Sequence, residues 1–153
     1  QAGYFRRFQM KIEIRTPITP KEWEQYYALR YDVLRKPLNQ PIGSERNDGD
    51  LKGIHFALFE DGMLRAIARL DKVDDETAQT RFVAVDTVAQ GKGFGKLIMD
   101  AVEAKSIARG DKKMILHARD YALPFYLRLG YTEIEKSYKL FDILQHYLME
   151  KVY

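Results

Sequence analysis

The segment Thr80 to Asp86, TRFVAVD, has the composition of a strand, and soon after it come three alternating glycines, Gly91, Gly93 and Gly95, heading a helical pattern. No other junction in the chain constrains the fold as much. The apolar residues Phe94, Leu97, Ile98, Ala101, Val102 and Ile107 keep near-helical spacing up to Ala108, and Gly110 supplies a C-terminal stop. A strand that turns directly into a helix leaves the first N–H groups of that helix without acceptors, converging where the helix dipole favours negative charge. Glycines let a phosphate approach this backbone without a β-carbon in the way, and Lys92 and Lys96 add positive charge. The ligand implied is a pyrophosphate. Two familiar phosphate loops fail on spacing. A G-x-G-x-x-G fingerprint starting at Gly91 would need glycine where Lys96 stands, and a P-loop needs a glycine–lysine pair followed by a hydroxyl.

The elements around this junction can be placed by pattern. MKIEIRT (10–16) alternates like a strand, and a helix over 19–35 opens with Thr19 as N-cap, Pro20 at its first position and Glu22 completing a capping box. PLNQPIGSERNDGDLKG (37–53) reads as a long polar loop, of a length that tends to be functional or mobile. IHFALFE and MLRAIARLDKV read as two strands joined through Asp61-Gly62, a dipeptide preferred in tight hairpins. KMILHAR (113–119) is strand-like, ALPFYLRLG (122–130) is a short helix ended by Gly130, and two closing strands follow. The order β, α, loop, ββ, β, α, β, α, ββ predicts an α/β (α+β) fold with helices packed on a mixed sheet.

A chain of 153 residues suits one domain, expected over 10–153, with 1–9 as an N-terminal extension. No apolar run approaches the ~18 residues of a membrane span, and QAGYFRRFQ lacks the apolar core of a secretory signal. Cysteine is absent, which excludes disulfides, thiolate metal sites and a cysteine nucleophile; no metal is expected, and a reducing, cytoplasmic location is the simpler expectation. The net charge of +3 is spread among carboxylates, so no nucleic-acid footprint is evident.

Gln90-Gly91-Lys92-Gly93-Phe94-Gly95 fits the [Q/R]-x-x-G-x-[G/A] signature of the GNAT superfamily of N-acetyltransferases. Further on, Ala122, Phe125, Tyr126, Gly130 and Tyr131 match a second block of that family, A-x-x-F-Y-x-x-x-G-[F/Y]. VAVD (83–86) resembles its central strand, and ILQHYLMEK resembles the last strand of one group of small bacterial members.

This resemblance implies a GNAT-like mixed, mostly antiparallel central sheet whose strands carrying Val85 and Leu116 splay apart at the acetyl-CoA site. It implies acetyl-CoA as cosubstrate, with the pyrophosphate on the backbone of residues 91–96, beside Gln90, and the pantetheine arm along Val83 and Val85. Tyr126 falls on the family tyrosine read as general acid to the departing thiolate. The family's usual glutamate base is missing, since Gln79, Thr80 and Arg81 stand there. Among the histidines His117 is the first candidate base, ahead of His55 and His146.

Acceptor contacts in such proteins come from the first helix and the loop after it. Glu45, Asp48 and Asp50 either attract a cationic amine or are simply solvated, and Arg30 or Arg35 could hold a carboxylate. Some of Trp23, Tyr26, Tyr27 and Tyr31 are core, and one or two could line a pocket. Without cysteine, direct transfer to the amine of a small molecule, protein or peptide is expected rather than an acetyl-cysteine intermediate. A non-catalytic acyl-CoA-binding or regulatory module and a different nucleotide-binding fold are the alternatives. Exposed C-terminal strands could pair two copies into a homodimer.

Overall fold

The computed structural model describes residues 11–153, so the expected extension at 1–9 lies outside the described residues. Its elements in chain order are β1 (Ile12–Arg15), α1 (Pro20–Leu34), β2 (Ile54–Glu60), β3 (Met63–Lys72), β4 (Thr77–Val85), α2 (Phe94–Ala108), β5 (Lys113–Arg119), α3 (Leu123–Arg128), β6 (Thr132–Leu140) and β7 (Leu144–Val152). They form one mixed sheet in the order β1-β2-β3-β4-β5-β7-β6. Every neighbouring pair is antiparallel except β4 and β5, because α2 carries the chain back to the same end of the sheet between them.

Local chemistry explains the firmest boundaries. The Thr19 side chain accepts from the Glu22 N–H while the Glu22 carboxylate accepts from the Thr19 N–H, so the capping box starts α1. Asp61 and Gly62 both have positive φ, 48° and 81°, the conformation that a two-residue hairpin matched to strand twist requires. β1 is shorter than the pattern suggested, and β4 begins three residues earlier, at Thr77.

The inner strands are buried on both faces. Alternation along β3 sends Ala66, Ala68 and Leu70 towards α2, where they meet Ile98, Met99 and Val102, together with Met114, Leu116 and Met149. Ile67, with Ala57, Phe59 and Ala84, faces α1 and packs on Tyr26 and Leu29.

Beneath α1 lies a buried ionic network. Arg30 and Arg69 are fully buried, and a single Asp50 oxygen accepts from both, at 2.8 Å each. Asp71 binds Arg69 with both oxygens, at 2.8 and 2.7 Å. The other Asp50 oxygen accepts from the Asn47 N–H at 3.0 Å, and the Asp50 carbonyl meets His55 Nε2 at 2.9 Å. Burial pushes the Asp50 carboxyl up, but the Asn47 N–H and the two guanidiniums outweigh it and hold the group below the ordinary carboxylate range. Asp50 therefore fastens the polar loop to the core. Asp50 is thus neither simply solvated nor free to attract a substrate amine, the two readings left open for it, and Arg30 is likewise engaged. Glu45 is also buried, accepting from the Gly43 N–H at 2.7 Å; Asp48 is exposed.

Two features of β4 position the site. Its register against β3 passes from Arg69–Arg81 to Ile67–Ala84, leaving a bulge at which Phe82 has φ 56°. Against β5 it pairs only at Thr77–Lys113, Ala78–Met114 and Gln79–Ile115. Beyond that point β4 stays with β3 and β5 stays with β7, and a cleft opens between them.

Replacing Asp50 with Asn removes the charge shared by two buried guanidiniums. The cost is expected to be on the order of 3 kcal/mol or more, read as a lowered urea midpoint with an unchanged slope; a cost below about 1 kcal/mol would show that the network is not what fastens the loop.

Candidate active site

The cleft between the parted strands has a volume of about 460 Å³. Its walls are β4 from Arg81 to Val85 and β5 from Leu116 to Arg119, closed by Phe125 and Tyr126 of α3, the end of α1, and Tyr138 and His146 of the β6–β7 hairpin. Past Gln79 the backbone of β4 that faces β5 has no ladder partner, and Phe82 and Val83 are also skipped in the register with β3. Val83 and Val85 line the cleft while packing against the core under α2. An extended ligand can pair with such a free edge as an added strand would.

At the N-terminus of α2, Gly93 is the N-cap with φ 81°, and no side chain caps the helix. Leu97 N–H, bonded to the Gly93 carbonyl at 3.1 Å, is the first intrahelical donor, and no acceptor among the described residues meets the N–H groups of residues 91–96. The glycines do two separate jobs. Gly91 and Gly93 have φ of 83° and 81°, and a β-carbon there would meet nothing within 4 Å, so conformation requires them and space above them is open. At Gly95 a β-carbon would lie 3.1 Å from the Phe125 ring, so that glycine lets α2 approach α3. Phe94 is buried and can offer only its N–H to a ligand. Gln90 lines the cleft and donates to the Val85 carbonyl at 3.5 Å. Lys96 pairs with Asp100 at 2.8 Å, and Lys92 lies 3.8 Å from Glu60; both side chains are exposed.

Tyr126 is buried edge-on to Phe125 and Tyr131, and its hydroxyl has no hydrogen-bond partner among the described residues. Burial pushes its pKa up, with Arg119 offsetting a part, so the phenol is protonated at neutral pH. Tyr131, in contrast, donates to Glu103 at 2.8 Å, and Glu103 accepts from Lys151. Only Tyr126 of this pair keeps a free hydroxyl.

The three histidines separate clearly. His55 lies under α1 with both ring nitrogens engaged, by the Tyr26 hydroxyl at 2.9 Å and the Asp50 carbonyl, and it does not line the cleft. His146 lines the cleft, stacks on Tyr138 at 4.6 Å, and is held by the Leu144 carbonyl at 3.0 Å. His117 lines the cleft beside Tyr138, and its buried Nδ1 has no partner. Burial, then the charge of Arg81, lowers its pKa, because protonation would bury a second N–H without an acceptor.

Arg81, Arg119 and Tyr138 also line the cleft, and sequence reasoning did not assign them to it. Alternation along β5 does place Arg119 on the face of His117, whereas Tyr138 arrives through the irregular register of the β6–β7 hairpin. Among the described residues no Asp or Glu lines the cleft. Among the described residues no cluster of His, Asp and Glu suited to a metal occurs, and no helix is long and apolar enough to cross a membrane.

Residues 44–153 match the family model for an acetyltransferase (GNAT) domain. A UPF0039 protein of Schizosaccharomyces pombe is 32% identical over 123 residues, which span 77% of this chain and 80% of that protein. Among solved structures, an acyl-CoA N-acyltransferase from Pseudomonas aeruginosa is 24% identical with a TM-score of 0.77, covering 94% of this chain and 100% of its own. A GNAT family acetyltransferase from Elizabethkingia anophelis, solved with acetyl-CoA bound, is 15% identical with a TM-score of 0.73, covering 95% of this chain and 99% of its own. With the splayed mixed sheet and the match over residues 44–153, the chain belongs to the GNAT acetyltransferase family.

Proposed function

We propose that this protein transfers the acetyl group of acetyl-CoA directly to a primary amine of a small molecule or of a protein or peptide. One observation carries the reading. A single cleft runs from Gly95, at the edge of the unbonded backbone N–H groups of residues 91–96, along the unpaired strand edge of Val83 and Val85 to Tyr126, whose hydroxyl has no partner among the described residues. The Elizabethkingia anophelis protein of the same fold, solved with acetyl-CoA, supports this choice of donor.

In this reading the N–H groups from Gly91 to Lys96 hold the pyrophosphate, helped by the α2 dipole. Lys92 and Lys96, once loosened from Glu60 and Asp100, add charge at the rim, and Gln90 steadies the turn. The free edge of β4 pairs with the pantetheine arm and brings the thioester between the strands. His117, neutral because of its lowered pKa, takes a proton from the incoming ammonium, directly or through water, and frees the nitrogen lone pair. That lone pair forms the C–N bond at the thioester carbonyl. As the C–S bond breaks, Tyr126 gives its phenolic proton to the sulfur, and CoA leaves as the thiol. The amine nitrogen sheds a second proton as the amide forms, which passes through solvent to restore the Tyr126 phenol, and the proton held by His117 is released to solvent, so each transfer frees one proton net.

Acetyl-CoA offered with a panel of amines is expected to release free CoA. Tyr126→Phe should lower kcat by about 10²-fold or more while leaving the KM for acetyl-CoA nearly unchanged. CoA binding without release on any amine would instead indicate a non-catalytic acyl-CoA-binding module.

The pH profile tests His117. A base of ordinary pKa would lose activity below about 6.5. Because burial and Arg81 depress this group, the neutral, active form persists to lower pH, and the acid limb of kcat/KM is expected below that value. An acid limb above pH 7, or one unchanged in His117→Gln, would remove His117 from the mechanism.

A further inference from the structure

Among the described residues, the arginines that are not exposed fall into two electrostatic classes. Arg15, Arg30, Arg65, Arg69 and Arg109 each have a carboxylate within 3.1 Å. Arg35, Arg81 and Arg119 line the cleft and have no carboxylate partner among the described residues. Arg35 is buried, and it donates to the carbonyls of Ser44 and Leu34, at 3.0 Å each. Arg119 donates to that same Leu34 carbonyl at 2.8 Å and to the Tyr121 hydroxyl at 3.2 Å. Two guanidiniums thus meet at one neutral oxygen. Arg81 has no acceptor among the described residues; the Phe82 ring lies 5.2 Å from its guanidinium carbon. Burial, then the neighbouring charges of Arg119 and Arg81, lowers the pKa of Arg35, which marks local repulsion.

All three arginines lie on the α1 side of the sheet. Arg35 is the C-cap of α1, Arg81 precedes the bulge in β4, and Arg119 shares the face of His117 on β5. The open N–H groups of α2 belong to the opposite layer and leave this charge unanswered. A cationic acceptor would add repulsion to a site with no Asp or Glu among its lining residues. An anion would cancel it, and the planar fork of a guanidinium matches a carboxylate with two parallel hydrogen bonds.

We propose that the acceptor is a small amine that also carries a carboxylate, held by Arg81 and Arg119 with Arg35 behind them, so that its amine is turned towards His117. This inference rests on the acetyltransferase reading and names its substrate class. The acceptor must share the cleft with the thioester end of the donor, which favours a compact molecule such as a free amino acid.

The test uses the full chain and sets of four amines with matched side chains: a free amino acid, its amide, its decarboxylated amine and the corresponding aminoalkyl phosphonate. CoA release gives kcat/KM for each. The acid is expected to exceed the amide and the amine by at least tenfold. Arg81→Gln should shrink that preference towards parity, Arg81→Lys should restore a part, and Lys21→Gln, an exposed cation on α1 outside the cleft, should leave it intact. Melting temperature and CoA affinity establish that each variant is folded. Equal or better turnover of the decarboxylated amine, preference for a diamine, or a phosphonate that outperforms the carboxylate would overturn the proposal. If no amine is acetylated, the enzymatic reading fails, but calorimetry on the CoA-loaded protein still decides the carboxylate site. Binding of the N-acetylated acid at least tenfold tighter than that of its amide sustains it, and equal binding overturns it.

Discussion

The ladder between β4 and β5 runs for three residue pairs and stops, although both strands continue and both remain paired on their outer sides. Burying an unpaired strand edge is costly, because each N–H and carbonyl loses water without gaining a partner. The bulge at Phe82 bends β4 away from β5, and the cleft keeps the freed edge open to solvent or ligand. Each feature of the site follows from this parting. It exposes the edge of Val83 and Val85, admits Tyr126 from one layer and His117 from the other, and aligns the end of β4 with the N-terminus of α2.

Parting the central strands weakens the middle of a sheet, and the two layers compensate differently. Under α2 the compensation is apolar, with small residues at 66, 68 and 78 letting Ile98 and Val102 lie close to the strands. Under α1 it is ionic, since Arg30 and Arg69 sit fully buried on Asp50 and Asp71. Buried pairs of this kind add little net stability over apolar packing, but removing one member is expensive. Their consequence is positional. Asp50 pins the loop after α1, and that loop in turn supplies the Ser44 carbonyl that holds Arg35 at the cleft.

Much of this was readable in the sequence wherever a residue's local conformation decides the outcome. The capping box at Thr19 and Glu22, the hairpin at Asp61-Gly62 and the glycine junction before α2 depend on a few neighbouring residues, and each has its predicted conformation. The splayed, mostly antiparallel sheet followed from the family resemblance and is present. Asp50 was misread because its partners are far away in the chain: Arg30 precedes it by 20 residues and Arg69 follows by 19. The contact of Gly95 with Phe125 is likewise long-range, so a pattern that assigned all three glycines to one task missed the division between conformation and packing. Arg81 was noticed only as the residue standing where a glutamate was expected.

That replacement bears on how the site manages charge. A carboxylate on β4 would have neutralised the arginines of the cleft and, by raising the pKa of His117, favoured its protonated form. With Arg81 in the cleft and no carboxylate among the described residues lining it, the field has the opposite sign: burial and Arg81 lower the pKa of His117, and the cleft is left short of negative charge. A net charge of +3 spread over the whole molecule gives no hint of this, because the surface mixes both signs while the cleft presents only one. The missing glutamate and the unpaired arginines are therefore one electrostatic arrangement. It suits a base that works by staying unprotonated and an acceptor that brings its own anion.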